Sequence, residues 1–314
     1  DIEGADRVKL ATAVCGKGGI WRGVMSNADA LVGEIVVVFQ PDSIVPKDNP
    51  VFAFMEHYKY IVKQRKFKGV PSEALIMPLK EVIPYNQPTG IGKDLTIGQD
   101  VTDFLGIKKY EKPGWEGVYD PTRAWPPFLR QTDEVNFQRV PEMVSRMRDM
   151  EVYVTLKMDG MSSTAYNKEG VFGVCSRRLQ VPENDSPYWQ VAHKYDLKNI
   201  LPEGYAIQWE TCGPKIQANP MGLSEVDGYA FNMWDIASHK YLPICINMQK
   251  VPLLAEFKAG QQPEDWQVYA QQFKYPNGKP AEGIVVRPFI PHFGFVDAEY
   301  QRFSFKGVNL LYKG

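Results

Sequence analysis

The sequence predicts an α+β protein made mostly of short strands, with a small β-barrel module ahead of a larger antiparallel body. Three observations carry this. Apolar and β-branched runs alternate with turn residues through the first ~100 residues, the spacing of a small closed sheet. Between Lys112 and Pro127, prolines and glycines replace that pattern with a connecting segment. Beyond it strand-like runs resume with few helical stretches between them, which suits mostly antiparallel sheets with flanking helices.

In chain order, Val8 to Val14 reads as a strand, followed by Gly16, Gly18 and Gly19, and Ile20 to Val24 as the next. Glu34 to Phe39 is the strongest strand, closed by Pro41-Asp42-Ser43. Tyr60 to Phe67 follows, then a turn at Gly69-Val70-Pro71-Ser72 and a short apolar run, Ala74 to Met77. A five-stranded OB-like barrel fits residues 1–110. Its candidate nucleic-acid strip is Lys59, Lys63, Arg65, Lys66 and Lys68, interleaved with Tyr58, Tyr60 and Phe67. Cations beside rings suit phosphates and bases, although an edge strand guarded by lysines has the same pattern. Pro84 to Gly106 is turn-rich, with a helical turn from Asp100 to Leu105 capped by Asp100 or Thr102. Residues 111–130 are the linker.

The second domain, 131–314, opens on Thr132-Asp133-Glu134, where Thr132 can cap a short helix, and continues into an amphipathic stretch, Pro141 to Met150. Strands are expected at 151–157, 161–167, 171–177, 205–211, 227–236, 283–287 and 300–306. Helical spacing marks Pro187 to Leu197. One or two further helices are expected within Pro252 to Phe273, with a start at Pro263-Glu264-Asp265.

Composition narrows the function classes. The net charge is −1, so any nucleic-acid binding rests on a local basic face. Cys15, Cys175, Cys212 and Cys245 are scattered without a CxxC pair and read as reduced thiols of an intracellular, cytoplasmic or nuclear compartment. The four histidines show no metal-ligand spacing. No run approaches the ~20 apolar residues of a membrane span, so no membrane partner is expected.

The stretch with chemical potential is Leu156-Lys157-Met158-Asp159-Gly160, between two β-like runs. By itself the stretch reads more readily as an exposed charged hairpin turn than as a poised nucleophile. A lysine amine attacks only when neutral, and with a reference pKa near 10.4 about one molecule in 2,500 is ready at pH 7. Making it mostly neutral requires about 4–5 kcal/mol of differential stabilisation from burial, neighbouring cations or a metal ion. If the electrophile is a nucleotide phosphate, carboxylates that hold a divalent ion and cations that steady phosphates are needed too. The sequence places such groups at strand ends: Glu210 before Gly213-Pro214, Glu282 before Gly283, Arg177 after Cys175-Ser176, and Lys306 in Phe303-Ser304-Phe305-Lys306-Gly307.

The order K-x-D-G, S-R, W-E-x-x-G, E-G-I-V-V-R and S-F-K resembles the covalent nucleotidyltransferase superfamily of DNA ligases, RNA ligases and capping enzymes. Ile2 to Arg7, Gly33 to Phe39 and Phe128 to Glu134, with only eight residues after Lys306, resemble ATP-dependent RNA ligases whose OB domain precedes the nucleotidyltransferase domain. The resemblance implies that Lys157 carries a covalent AMP taken from ATP. The AMP then passes to a 5′-phosphate and is displaced by an RNA 3′-OH. Asp159, Glu210 and Glu282 would hold Mg²⁺ or Mn²⁺, through water. Leu156, Gly160, Arg177, Glu210, Phe231, Glu282 and Lys306 would line the nucleotide site, Phe231 by stacking on the base. Tyr229 and Trp234 are alternatives for that stacking role. Ser304 stands where many relatives have a second fifth-motif lysine, which leaves phosphate neutralisation to Lys306 with help from Arg287 or Arg302. The expected partner is a nicked duplex and the expected state a monomer. A capping-type guanylyltransferase and a catalytically idle nucleic-acid-binding protein are the competing readings.

Overall fold

The computed structural model describes residues 2–16, 19–26, 32–83, 95–110, 123–296 and 299–312. The chain divides into two compact units, Asp1–Lys112 and Pro113–Gly314. Sheet dominates both, with few short helices.

In the first unit the strands are β1 (Val8–Cys15), β2 (Gly19–Ser26), β3 (Val36–Phe39), β4 (Ser43–Ile44), β5 (Arg65–Phe67), β6 (Val70–Ser72), β7 (Leu75–Pro78) and β8 (Lys108–Lys109), with a short α-helix, α1 (Leu79–Val82). They pair as β1–β2, β3–β7, β4–β8 and β5–β6. Among the described residues these ladders do not join into one closed five-stranded sheet. Val37, Phe39, Val45, Phe52, Met55, Val62 and Met77 form the core.

The strand expected from Tyr60 to Phe67 is shorter, because the chain ahead of it is helical. A 3₁₀ helix spans Pro50–Tyr58, with proline in its first turn and the Asn49 side chain accepting from the Val51 N–H. Lys59 and Tyr60 then take left-handed φ of 55° and 59° and end it. Val70-Pro71-Ser72, expected as a turn, is strand β6. The turn is the two-residue Lys68-Gly69 pair, both at positive φ, the geometry that closes a tight hairpin. The expected strip is also partly self-occupied: the Arg65 guanidinium lies 3.4 Å from the Tyr58 ring centre. The turn at Asp100 to Leu105 is capped by Asp100, whose carboxylate accepts from the Thr102 N–H. Residues 84–94, within the turn-rich segment, and 111–122, most of the linker, lie outside the described residues.

In the second unit the strands are β9 (Val135–Asn136), β10 (Val152–Lys157), β11 (Met161–Lys168), β12 (Val171–Cys175), β13 (Gln180–Val181), β14 (Tyr205–Cys212), β15 (Asp227–Asp235), β16 (Lys240–Leu242), β17 (Leu253–Phe257), β18 (Gly283–Pro288), β19 (Phe293–Val296), β20 (Glu299–Arg302) and β21 (Phe305–Val308). The helices are α2 (Pro141–Met147), α3 (Pro187–Lys194), α4 (Leu197–Ile200) and α5 (Trp266–Ala270). A five-stranded sheet runs β17-β10-β18-β21-β9, and a six-stranded sheet runs β13-β12-β11-β14-β15-β16. Alternation of side chains explains both cores. Val152, Val154, Ile284 and Val286 pack one face of the first sheet on Met143 and Met147 of α2 and Trp266 of α5. Ile207, Trp209, Ala230 and Met233 pack one face of the second on Trp189 and Val191 of α3. The other faces, carrying Lys157 and Glu210, turn towards each other, and Arg287 of β18 donates to the Phe231 carbonyl of β15.

Three expectations change here. Leu253–Phe257, placed within a helical region, is an edge strand because its backbone completes the ladder of β10. The helix after it starts at Trp266, with the Asp265 carboxylate accepting from the Gln267 and Val268 N–H groups. The strand expected at 300–306 is two strands in different sheets, parted at Phe303-Ser304. Thr132 caps no helix; its hydroxyl bonds to Ser162 across to β11.

Candidate active site

Lys157-Met158-Asp159-Gly160 is not a hairpin turn. β10 before it belongs to the five-stranded sheet and β11 after it to the six-stranded sheet, so the stretch is the crossover between two facing sheets. Gly160 permits this by size. A Cβ there would lie 2.3 Å from the Thr211 carbonyl oxygen and 2.8 Å from the Cys212 sulfur. The Gln217 amide donates to the Gly160 carbonyl at 3.1 Å.

Antiparallel register assembles the rest. Lys157 lies opposite Gly283, which puts Glu282 beside it, and the Lys157 Nζ sits 2.6 Å from the Glu282 Oε1. Only 22% of the lysine side chain and 23% of the glutamate are exposed, so this pair is shielded yet reachable. Gly283 is another close approach, because a Cβ would meet the Gly307 carbonyl at 2.1 Å. Thr155 pairs with Val285, and Val285 with Lys306. Opposed residues share a face, so Lys306 stands on the Lys157 face two strands away. On the opposing sheet, Glu210 lies opposite Ser162. Phe231 is the extra residue of a β-bulge: Gln208 pairs with Asn232 and Trp209 with Ala230, which leaves Phe231 without an opposite number. A bulge re-aims its side chain, and the Phe231 ring lies 5.7 Å from the Arg287 guanidinium.

The electrostatics follow from crowding carboxylates out of water. Burial, with repulsion from Glu282 and Asp159, outweighs attraction to Lys157 and pushes the Glu210 carboxyl up to about 8. Burial also raises Glu282 against the pull of Lys157. Burial works to lower Lys157, but Glu282, Glu210 and Asp159 together hold its ammonium above the ordinary value. Lys306, buried and repelled by Lys157, is lowered. The site as it stands therefore protects the proton on Lys157. Freeing the amine requires cancelling the carboxylate field.

Several residues around the site were not identified from sequence. Buried Tyr275 donates its hydroxyl to the Lys157 carbonyl and accepts from the Glu282 N–H, both at 3.1 Å, so one ring fixes both backbones. The Tyr312 hydroxyl donates to the Asp159 carboxylate. Thr132-Asp133-Glu134 ties the sheets together: Thr132 bonds Ser162, Asp133 pairs with Arg177 at 2.5 Å, and Glu134 pairs with Arg287 at 2.6 Å while accepting from Ser304. Arg287 is 2% exposed and so committed to Glu134, which removes it as a free phosphate contact in place of the missing lysine. Ser304 is the partner of that pair. Leu156 turns its side chain into a core with Met158, Cys212 and Tyr275. The sequence marked Thr132-Asp133-Glu134 only as a helix start and a family-like junction, and gave no signal for Tyr275; Tyr312 could have been noticed as a lone ring in the short stretch after Lys306.

A divalent ion fits the donor set in one way. Asp159, Glu210 and Glu282 are hard oxygen donors that repel one another around the single ammonium of Lys157. Among the described residues, though, no three such side chains converge closely enough for direct coordination. Contact through ordered water, which suits Mg²⁺, is what this spacing allows.

Comparison with known proteins then bears on the whole chain. Solved structures of Naegleria gruberi RNA ligase share its fold: the form with PPi superposes with a TM-score of 0.75 at 23% identity, covering 98% of this chain and 93% of that one. A lysine-to-methionine mutant of that ligase with AMP and Mn, and a lysine-to-alanine mutant with ATP and Mn, match with TM-scores of 0.75 and 0.74, each at 23% identity. These cover 98% of this chain and 93% of theirs. No curated protein sequence matches. The family model described as RNA ligase matches residues 150–308, just over half of the chain and every strand-end residue of the site. The chain belongs to the RNA ligase family.

Proposed function

We propose that this protein is an ATP-dependent RNA ligase in which Lys157 is the nucleophile and the sealed break has an RNA 3′-OH and a 5′-phosphate. The observation that carries the reading is the Lys157–Glu282 pair at 2.6 Å, set at the crossover between two facing sheets with Glu210 opposite and Lys306 alongside. The Naegleria gruberi structures with ATP, AMP and Mn support ATP and Mn²⁺ or Mg²⁺ as what this site takes.

The Lys157 amine attacks the α-phosphorus of ATP; a nitrogen–phosphorus bond forms, the bond to the β-bridging oxygen breaks, and pyrophosphate leaves. Lys157 first gives up a proton, for which Glu282, raised by burial, is the adjacent acceptor. A divalent ion held through water by Asp159, Glu210 and Glu282 would supply charge neutralisation at the phosphates and cancel the field that keeps Lys157 protonated. Lys306 steadies phosphate oxygens, Phe231 stacks on the base, and Leu156 and Gly160 border the nucleotide through their backbone. Arg177 meets ribose or the RNA end by exchanging its contact with Asp133. In the second step AMP moves to the 5′-phosphate; in the third the RNA 3′-OH displaces it, so each step is an in-line phosphoryl transfer ruled by positioning.

The duplex nick as substrate, a repair role, a monomeric state and a reducing intracellular compartment belong to this proposal. So does an OB-like reading of the N-terminal unit, which the β2 strand supports by lying beside both β6 and β7. Incubation with α-labelled ATP and a divalent ion tests the central step. Wild type is expected to become labelled and Lys157→Met, which keeps the length and loses the amine, to remain unlabelled. Label from GTP in preference to ATP would turn the reading to the capping type, and label on Lys157→Met would mean another nucleophile. Nicked duplexes with RNA or DNA on each side then test the substrate; equal sealing of an all-DNA nick would count against RNA.

A further inference from the structure

We infer that the outer face of the β19–β20 hairpin, with the β16 edge beside it, is a stacking platform for unpaired bases of single-stranded RNA that flanks the duplex nick. The inference takes the identity of the strand from the RNA-ligase reading above.

The hairpin is two-faced. Gly294 and Val296 point inward: Val296 is 1% exposed, and a Cβ on Gly294 would touch Phe303. The other face carries Phe293 opposite Arg302 and Phe295 opposite Tyr300. A two-stranded ladder with one buried face normally presents polar groups on the other. Here it presents three rings and an arginine, with Phe295 66% and Tyr300 59% exposed. Phe295 meets Tyr300 edge-on, and from Tyr300 the rings continue onto the six-stranded sheet in near-parallel array. Tyr300 and Phe293 stack at 6.2 Å with 18° between their planes, and Phe293 and Tyr241 of β16 at 6.2 Å with 11°.

Charge points to the occupant. The Arg302 guanidinium lies 3.7 Å over the Tyr241 ring, and that of Arg130 5.3 Å over Phe293. Arg177 and Arg287 are committed to carboxylates, but among the described residues neither Arg130 nor Arg302 pairs with one. Arg302 donates only to the neutral Asn232 side chain, at 2.9 Å, and its buried Nε has no partner. Guanidinium groups without a carboxylate contact, interleaved with solvent-accessible rings, match alternating phosphates and bases. The platform also continues the face that bears Glu210. Gln208 and Ala206 follow Glu210 on that side of β14, and Ala206 lies opposite Trp234, which lies opposite Tyr241. Four residues of strand is about 13 Å, so the platform stands on the same sheet as Glu210, with the residues between them buried under Phe128, Leu129 and Arg130.

The test is fluorescence anisotropy of the full chain with a labelled single-stranded RNA of about 16 nucleotides. The Phe295→Ala/Tyr300→Ala pair is expected to weaken binding at least about tenfold, since each stacked base contributes ~1–3 kcal/mol. Phe295→Tyr with Tyr300→Phe, which keeps both rings, should restore it. Arg130→Ala should lower the salt dependence by about one counterion. Unchanged affinity in the alanine pair, no RNA binding by wild type, or a change in the sedimenting mass in place of RNA affinity would each overturn the platform, the last making it an interface between copies. Self-labelling with ATP separates the two ideas: labelling with unaltered RNA affinity in the alanine pair removes the platform alone. Ring-dependent RNA binding without labelling leaves the platform and removes the lysyl-AMP reading.

Discussion

At the scale of single residues, the site is defined by how little space separates its groups. Gly160 shows this directly: alanine would press a Cβ to within 2.3 Å of a backbone carbonyl that cannot swing aside. Gly160→Ala should therefore part β11 from β14 near Glu210, lower stability by about 1–3 kcal/mol and cut self-labelling more than tenfold, as read by urea unfolding alongside the labelling assay. Lys306 poses a different case, a buried residue with no substitute. Arg287 is held by Glu134 and Ser304 carries no charge, so Lys306→Ala should slow lysyl-AMP formation by about 10²–10³, the usual loss for one transition-state donor. Near-normal labelling in single-turnover measurements would take Lys306 out of the phosphate site.

Among elements, the junction Thr132-Asp133-Glu134 does more than its sequence suggests. Each of its three side chains reaches a different partner, and together they join both sheets before β9 adds itself, in parallel, to β21. Glu134 is the critical one. Glu134→Ala would strand the buried Arg287 guanidinium, a loss of about 3–5 kcal/mol when one member of a buried pair is removed. Replacing both members together, Glu134→Leu with Arg287→Met, should recover most of it; chemical denaturation of the single and double variants measures the difference. An equal loss in both would mean that the pair is not what holds the sheets. This network was hidden in the sequence because Thr-Asp-Glu is equally a helix start, and nothing local reveals a partner more than 150 residues away. Leu253–Phe257 misled for a related reason: its strand character comes from pairing with β10.

For the molecule as a whole, the crowded carboxylates should appear as a pH dependence of stability. Glu210 titrates near 8 when folded and near 4.3 when unfolded. Between those values the folded chain binds more protons, so stability declines as pH rises through that window and levels off above it. Without nucleotide or metal, Glu210→Gln should gain on wild type from about pH 4.3 to 8, read as the difference in urea midpoints. A gap that stays constant with pH would mean that Glu210 titrates normally. By itself the sequence determined the class of chemistry and most strands of the second unit, because alternation, turn residues and motif order are local. Lys157 ends its strand and Glu282 lies just ahead of one, as the spacing implied, whereas Glu210 and Lys306 sit inside their strands, each two residues before the end. Only the tertiary structure decided that Lys157-Met158-Asp159-Gly160 bridges two sheets instead of closing a hairpin. It alone brought Glu134, Tyr275 and Tyr312 to the site and aligned three rings with Arg130 and Arg302, neither paired with a carboxylate among the described residues. Register and long-range pairing are properties of strands already assembled, and no window of the chain contains both partners.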